Sequence, residues 1–126
     1  MTRMWPDVEK ALVAYLSRAL GVRVSVATPP DLEQLPGFVR VTRGPGSDDG
    51  VTDAPAIDVE AFAPTRAAAR ELAERARQAM HELSGRRAGA VLFDSVRTSS
   101  APSWVDWGNP AVHRYVAVYA ARFRRY

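Results

Sequence analysis

The sequence predicts an α+β domain, with a mainly antiparallel sheet of four to five strands and two helices packed on one face. Three observations carry that expectation. Two stretches repeat apolar residues at helical spacing, five alternate apolar and polar residues, and turn-forming residues separate neighbouring alternating stretches. Consecutive strands joined by short turns pair antiparallel, and the apolar face of such a sheet needs helices to cover it.

The first helix is read from "WPDVEKALVAYLSRALG". Pro6 suits an early helical position, and Asp7 and Glu9 suit the positive end of the helix dipole. Val8, Leu12, Tyr15, Leu16 and Ala19 share one face, and Gly21 is the expected stop. "VRVSVAT" then alternates, with Val22, Val24 and Val26 inward, until Pro29–Pro30 ends it. "FVRVTRG" places Val39 and Val41 opposite Arg40 and Thr42, and "AIDVEAFA" turns Ile57, Val59 and Ala61 to one side. Thr65 is a good N-cap for "RAAARELAERARQAMHELSG", whose apolar stripe runs through Ala69, Leu72, Ala76, Ala79, Met80 and Leu83 before Gly85 closes it. "AVLFDSVRTSS" is a further strand and "APSWVDWGNP" a loop. The last strand, "HRYVAVYAARFRRY", alternates Tyr115, Ala117, Tyr119, Ala121 and Phe123.

At 126 residues, the expectation is one domain spanning residues 1–126. A chain of this length buries roughly two thirds of its unfolded surface and needs no covalent staple. It has no cysteine, which removes disulfides, thiolate metal sites and a cysteine nucleophile together. No run resembles a signal peptide or is long enough to span a bilayer, so the expected setting is soluble, without a membrane partner. The formal net charge is +3, from sixteen arginines and the single Lys10 against fourteen acidic residues. The arginines are spread from Arg3 to Arg125, clustering only at Arg86–Arg87 and "RFRRY", which fits a solvated surface better than a nucleic-acid groove.

"RGPGSDDGVTDAPAIDVEAF" concentrates acidic residues and raises two chemical possibilities. Asp48, Asp49 and Asp53 surround Gly50 as a cation loop would, but they lack the alternating ligands and closing glutamate of an EF-hand. Glycine, proline and aspartate are turn residues in their own right, so a solvated hairpin loop is the expected role. Asp58 and Glu60 share a strand face, as in a restriction-type nuclease. The lysine that should follow is replaced by Phe62, and carboxylates on the wet face of a strand need no further reason. His81 and His113 fall in no nucleophile spacing, and neither phosphate-binding glycine motif occurs. No enzymatic activity, cofactor or metal is expected.

"SWVDWGNPAVHRY" is the most unusual stretch. Trp104 and Trp107 lie in a loop with Gly108 and Asn109–Pro110, and either cap an open end of the sheet core or anchor a partner. Trp5 poses the same choice.

Taken in order, "PDVEKALVAYLSRALGVRVSV", "LPGFVRVTRGPGSDDGVTDAPAIDVEAFAPTRAAARELAERAR" and "DSVRTSSAPSWVDWGNPAVHRYVAVYAARFR" resemble the tail terminator, or tail completion, proteins of long-tailed bacteriophages. The likeness is greatest to phages and prophages of GC-rich actinobacteria and covers nearly the whole chain. It implies a non-enzymatic virion protein, assembled in the host cytoplasm and placed at the head-proximal end of the tail. There it would form a hexameric ring on the major tail tube protein, stop tube growth and join the head-tail connector, with DNA passing through the bore. Candidate contacts between subunits, or with the tube, are then Asp48, Asp49, Asp53, Asp58, Glu60, Arg66, Asp94, Arg97, Trp104, Trp107 and Asn109. A head-completion or neck protein is the nearest alternative. A small DNA-binding or nuclease domain is a more distant one.

Overall fold

The computed structural model describes residues 4–124; Arg3, Arg125 and Tyr126 lie outside it. Helix α1, Val8–Leu20, starts on the Asp7 side chain, which accepts from the Lys10 amide at 3.0 Å, and stops at Gly21 with φ 67°. Strand β1, Arg23–Ser25, follows, then a short 3-10 helix, Leu32–Gln34. β2, Phe38–Asp48, and β3, Thr52–Ala63, make a long hairpin. Helix α2, Arg66–His81, is capped by Thr65 Oγ1, which accepts from the Ala68 amide at 3.1 Å. A short β4, Arg87–Ala88, and the long β5, Val91–Trp104, and β6, His113–Arg124, complete the chain.

The sheet has six strands in the order β1-β2-β3-β6-β5-β4, and it is mixed, which corrects the expected four to five antiparallel strands. β1 runs parallel to β2, with Arg23 opposite Phe38 and Ser25 opposite Arg40, while every other pair is antiparallel. The cause lies in the connection. After Pro29–Pro30 the chain folds back across the sheet, seating Leu32 and Leu35 on Phe38 and Phe62, and re-enters β2 in its original direction. The sixth strand is the two-residue β4, too short for an alternation pattern to register.

Both helices cover one face. Leu12, Leu16 and Leu20 of α1, with Ala69, Leu72, Ala76 and Met80 of α2, pack on Val39, Val41, Ile57, Val59, Ala117, Tyr119, Ala121 and Phe123. The small alanine stripe of α2 lets that helix sit close to the sheet. Two inward assignments move: Ala19 is exposed and Leu20 takes its place, and Val26 is 46% exposed beyond the end of β1. Tyr15 reaches past α1 to donate its hydroxyl to the Ala79 carbonyl at 2.7 Å, tying the helices together. No helix among the described residues is long and apolar enough to cross a membrane.

Candidate assembly surfaces

The face away from the helices carries a second, smaller core at one end of the sheet. Phe38 and Phe62 are cross-strand neighbours with ring centroids 5.7 Å apart, and Leu32, Leu35 and Val112 close around them. Trp107 packs edge-on against Phe62 at 5.0 Å and 81°. It is therefore a lid on this second cluster, and not a cap on the open end of the main core.

Charge holds that lid down. Glu60, only 8% exposed, accepts from Arg40 Nε at 2.5 Å and from Arg114 Nη1 at 3.2 Å. Both guanidinium groups lie over the Trp107 ring, at 5.6 Å for Arg40 and 5.0 Å for Arg114. One carboxylate between two arginines leaves an excess positive charge, and the negative face of the indole receives it. The clamp also reaches outward: Arg40 donates to Thr28 Oγ1 at 2.7 Å, and Arg114 donates to the Asp106 carbonyl at 3.0 Å. Asn109 fastens the loop by donating to Glu33 and accepting from the Ala111 amide at 2.9 Å. The expectation that Glu60 is a wet surface carboxylate is thus corrected. The arginines opposite it make burial affordable.

The other end of the sheet is the β2–β3 hairpin tip. The strands run further than expected, with Asp48 opposite Asp53 across a bulge between Arg43 and Gly46. Asp53 is no solvated loop residue: it is 3% exposed and bound in two-pronged fashion by Arg43, at 2.6 and 2.8 Å. Fork-to-fork geometry of this kind is specific to arginine. Asp48 and Asp49 do remain exposed, spent on their own turn. Asp48 accepts from Gly50, and Asp49 accepts from Val51 at 2.9 Å and Thr52 at 2.7 Å. Those amides, Thr52 first, hold the Asp49 carboxyl below the usual carboxylate range.

The remaining candidates scatter. Asp58 is half-buried on the outer face, its pKa raised by burial and then by neighbouring Glu60. Asp94 pairs with Arg124 at 3.4 Å, and Arg97 is exposed on β5. Trp104, 37% exposed at the end of β5, has the Arg66 guanidinium 4.7 Å over its ring and donates Nε1–H to His113 at 3.4 Å. With Val105, also exposed, it forms an apolar patch beside the start of α2. The structure brings Glu60 and Trp107 together but separates them from Asp48, Asp49 and Asp53 by the length of the sheet. Sequence reasoning missed Arg40, Arg43 and Arg114. Only the strand register puts these arginines beside their carboxylates, and spacing along the chain carries no sign of it.

Among the described residues no group of three or more His, Asp or Glu side chains gathers as a metal site would. Arg23, Arg40, Arg43, Arg77, Arg114 and Arg124 are all in ion pairs within the chain.

Comparison with solved structures supports the architecture. A chain described as "Virion of native gene transfer agent (GTA) particle" superposes with a TM-score of 0.61 at 18% identity, over 89% of this chain and 86% of that one. A second solved chain gives a TM-score of 0.54 at 15% identity, over 94% and 91%. At such identities the likeness is one of fold. No curated protein matches by sequence. The sequence pattern of the family described as "Phage tail termination protein" matches residues 4–97, most of the chain. The chain therefore belongs to the phage tail termination protein family and is a structural component of tail assembly.

Proposed function

We propose that the chain is one subunit of a ring, six copies in the full assembly, that caps the head-proximal end of the tail tube. The ring ends tube polymerisation and offers the surface to which the head-tail connector joins, while DNA crosses its bore without sequence-specific binding. The observation that carries the reading is membership of the tail termination family over residues 4–97. The shape of the subunit supports it. The two ends of the sheet differ in chemistry: an acidic turn at Asp48–Asp49, and an exposed Trp104–Val105 patch beside Arg66. A ring closes through head-to-tail contacts, which need two unlike, complementary surfaces on each subunit. An end that meets the tube and an end that meets the connector need the same asymmetry.

The test is an early stop codon in this gene in the phage that carries it, with the lysate viewed by electron microscopy. Tails of irregular, excessive length beside unjoined full heads are expected. Tails of normal length beside heads that have lost DNA would make the chain a head-completion or neck protein instead.

A further inference from the structure

The Trp107 loop covers only one end of the outer face. Beyond it the sheet lies bare among the described residues. Its next three rows are centred on Asp58 and Val118, on Ala56 and Ala120, and on Ala54 and Arg122. The middle of this area is methyl groups. Its charges sit at unlike positions: Asp58 on β3 in the first row, Arg122 on β6 in the third, each two residues from the alanine row between them. Asp58 is half-buried and forms no ion pair among the described residues, and Arg122 stands exposed beside an Asp49 already engaged by backbone amides.

We propose that this bare area is a contact between two copies of the chain, related by a two-fold axis across the strands at Ala56–Ala120, with Asp58 of each copy paired to Arg122 of the other. Such a rotation carries the Asp58 row onto the Arg122 row, so the surface is complementary to itself. Facing sheets pack ~10 Å apart. The alanines permit that approach, and an extended arginine and an aspartate together bridge the gap. The same rotation places the raised Trp107 loop of each copy past the low hairpin end of the other, so the two loops do not collide. Arg97 and its counterpart meet near the axis at the strand margin, where both extend into solvent. The area of four strands over about six residues is roughly 400 Å² per copy from strand spacing and rise. That is about half of the ~800 Å² per partner in a standard stable interface. The contact is therefore weak, and it is separate from the head-to-tail one that closes a ring, because a two-fold contact stops at two copies.

Sedimentation velocity of the full chain, from low micromolar to near-millimolar concentration, tests it. The wild type is expected to show association saturating at the dimer. Asp58→Arg and Arg122→Asp should each weaken that step by about tenfold or more, and the combined charge swap should restore it. Thermal melts check folding, and Arg122→Asp, an exposed change, carries the test alone if Asp58→Arg does not fold. Dimerisation untouched by either single change, a swap that fails to restore it, or a monomer at every concentration would overturn the proposal.

Discussion

Trp104 and Trp107 are three residues apart, but β5 runs through the expected loop as far as Trp104 and leaves only Trp107 beyond it, and the structure assigns them opposite fates under truncation. Trp107→Ala removes a ring seated on Phe62 and beneath two guanidinium groups. A tryptophan buries 150–250 Å² when packed, and the loss of a buried aromatic side chain costs about 3–5 kcal/mol. Trp107 is partly exposed, so the expected loss is about 2–3 kcal/mol. For a domain of this size that is a fall of roughly 6–15 °C in melting temperature. Trp104→Ala removes a ring already 37% exposed and held by one cation and one long hydrogen bond. Its cost is about 1 kcal/mol or less, within a few degrees. Differential scanning calorimetry on both variants reads the contrast directly. Assembly on purified tail tubes should show the reverse order: Trp104→Ala stays folded and caps poorly, whereas Trp107→Ala caps in proportion to the folded fraction. Equal melting shifts for the two would refute the division into a structural lid and an exposed anchor.

Other expectations follow from single contacts. Glu60→Gln leaves Arg40 and Arg114 facing each other without a counter-charge, and should cost about 2–4 kcal/mol in urea titration; an unchanged midpoint would show that the clamp holds nothing. Tyr119 is fully buried, its hydroxyl has no partner among the described residues, and burial pushes its pKa up to about 12. Stability that depends on the protonated phenol is complete below the unfolded value of about 10 and is lost as pH rises to about 12, a fall of roughly 2–3 kcal/mol. Tyr119→Phe should match or exceed the wild type by up to ~1 kcal/mol at pH near 7 and lose much less above pH ~10; parallel pH profiles for the two proteins would contradict this. At Gly46 an added Cβ would stand 2.4 Å from the Ala54 carbonyl oxygen and 2.5 Å from the Pro55 Cα, both backbone. Gly46→Ala should therefore open the hairpin bulge, seen as loss of the Ser47–Ala54 pairing in amide hydrogen exchange.

Much of the fold was written locally. The Thr65 cap, the Gly21 stop and the alternation of Val39, Val41, Ile57, Val59 and Tyr119 each depend on neighbours a few residues away, and each is read from the chain directly; Asp7, expected inside the first turn behind Pro6, is instead the N-cap that starts α1. Features set by distant partners were illegible. β1 carries only Val24 into the core, and nothing in three residues says whether they run with or against β2. Asp53 and Glu60 read as surface carboxylates because aspartate and glutamate in turns and alternating strands usually are. Their burial depends on Arg43, Arg40 and Arg114, which the register delivers from ten, twenty and fifty-four residues away. The two tryptophans were ambiguous for the same reason, since the pocket under Trp107 is built from β2, β3 and the 3-10 turn.

The two clusters on opposite faces of the sheet divide the cooperativity of this small chain. The larger one ties α1, α2 and all six strands into a unit whose opening requires global unfolding. The smaller one rests on Leu32, Phe38, Phe62 and Val112 under one indole, with its strands already pinned from behind. Releasing the Glu60 clamp would free the segment around Trp107 while the body stays folded, a sub-global opening at far lower cost. The molecule thus has one end that can be refashioned against a neighbour and a body that keeps its shape throughout.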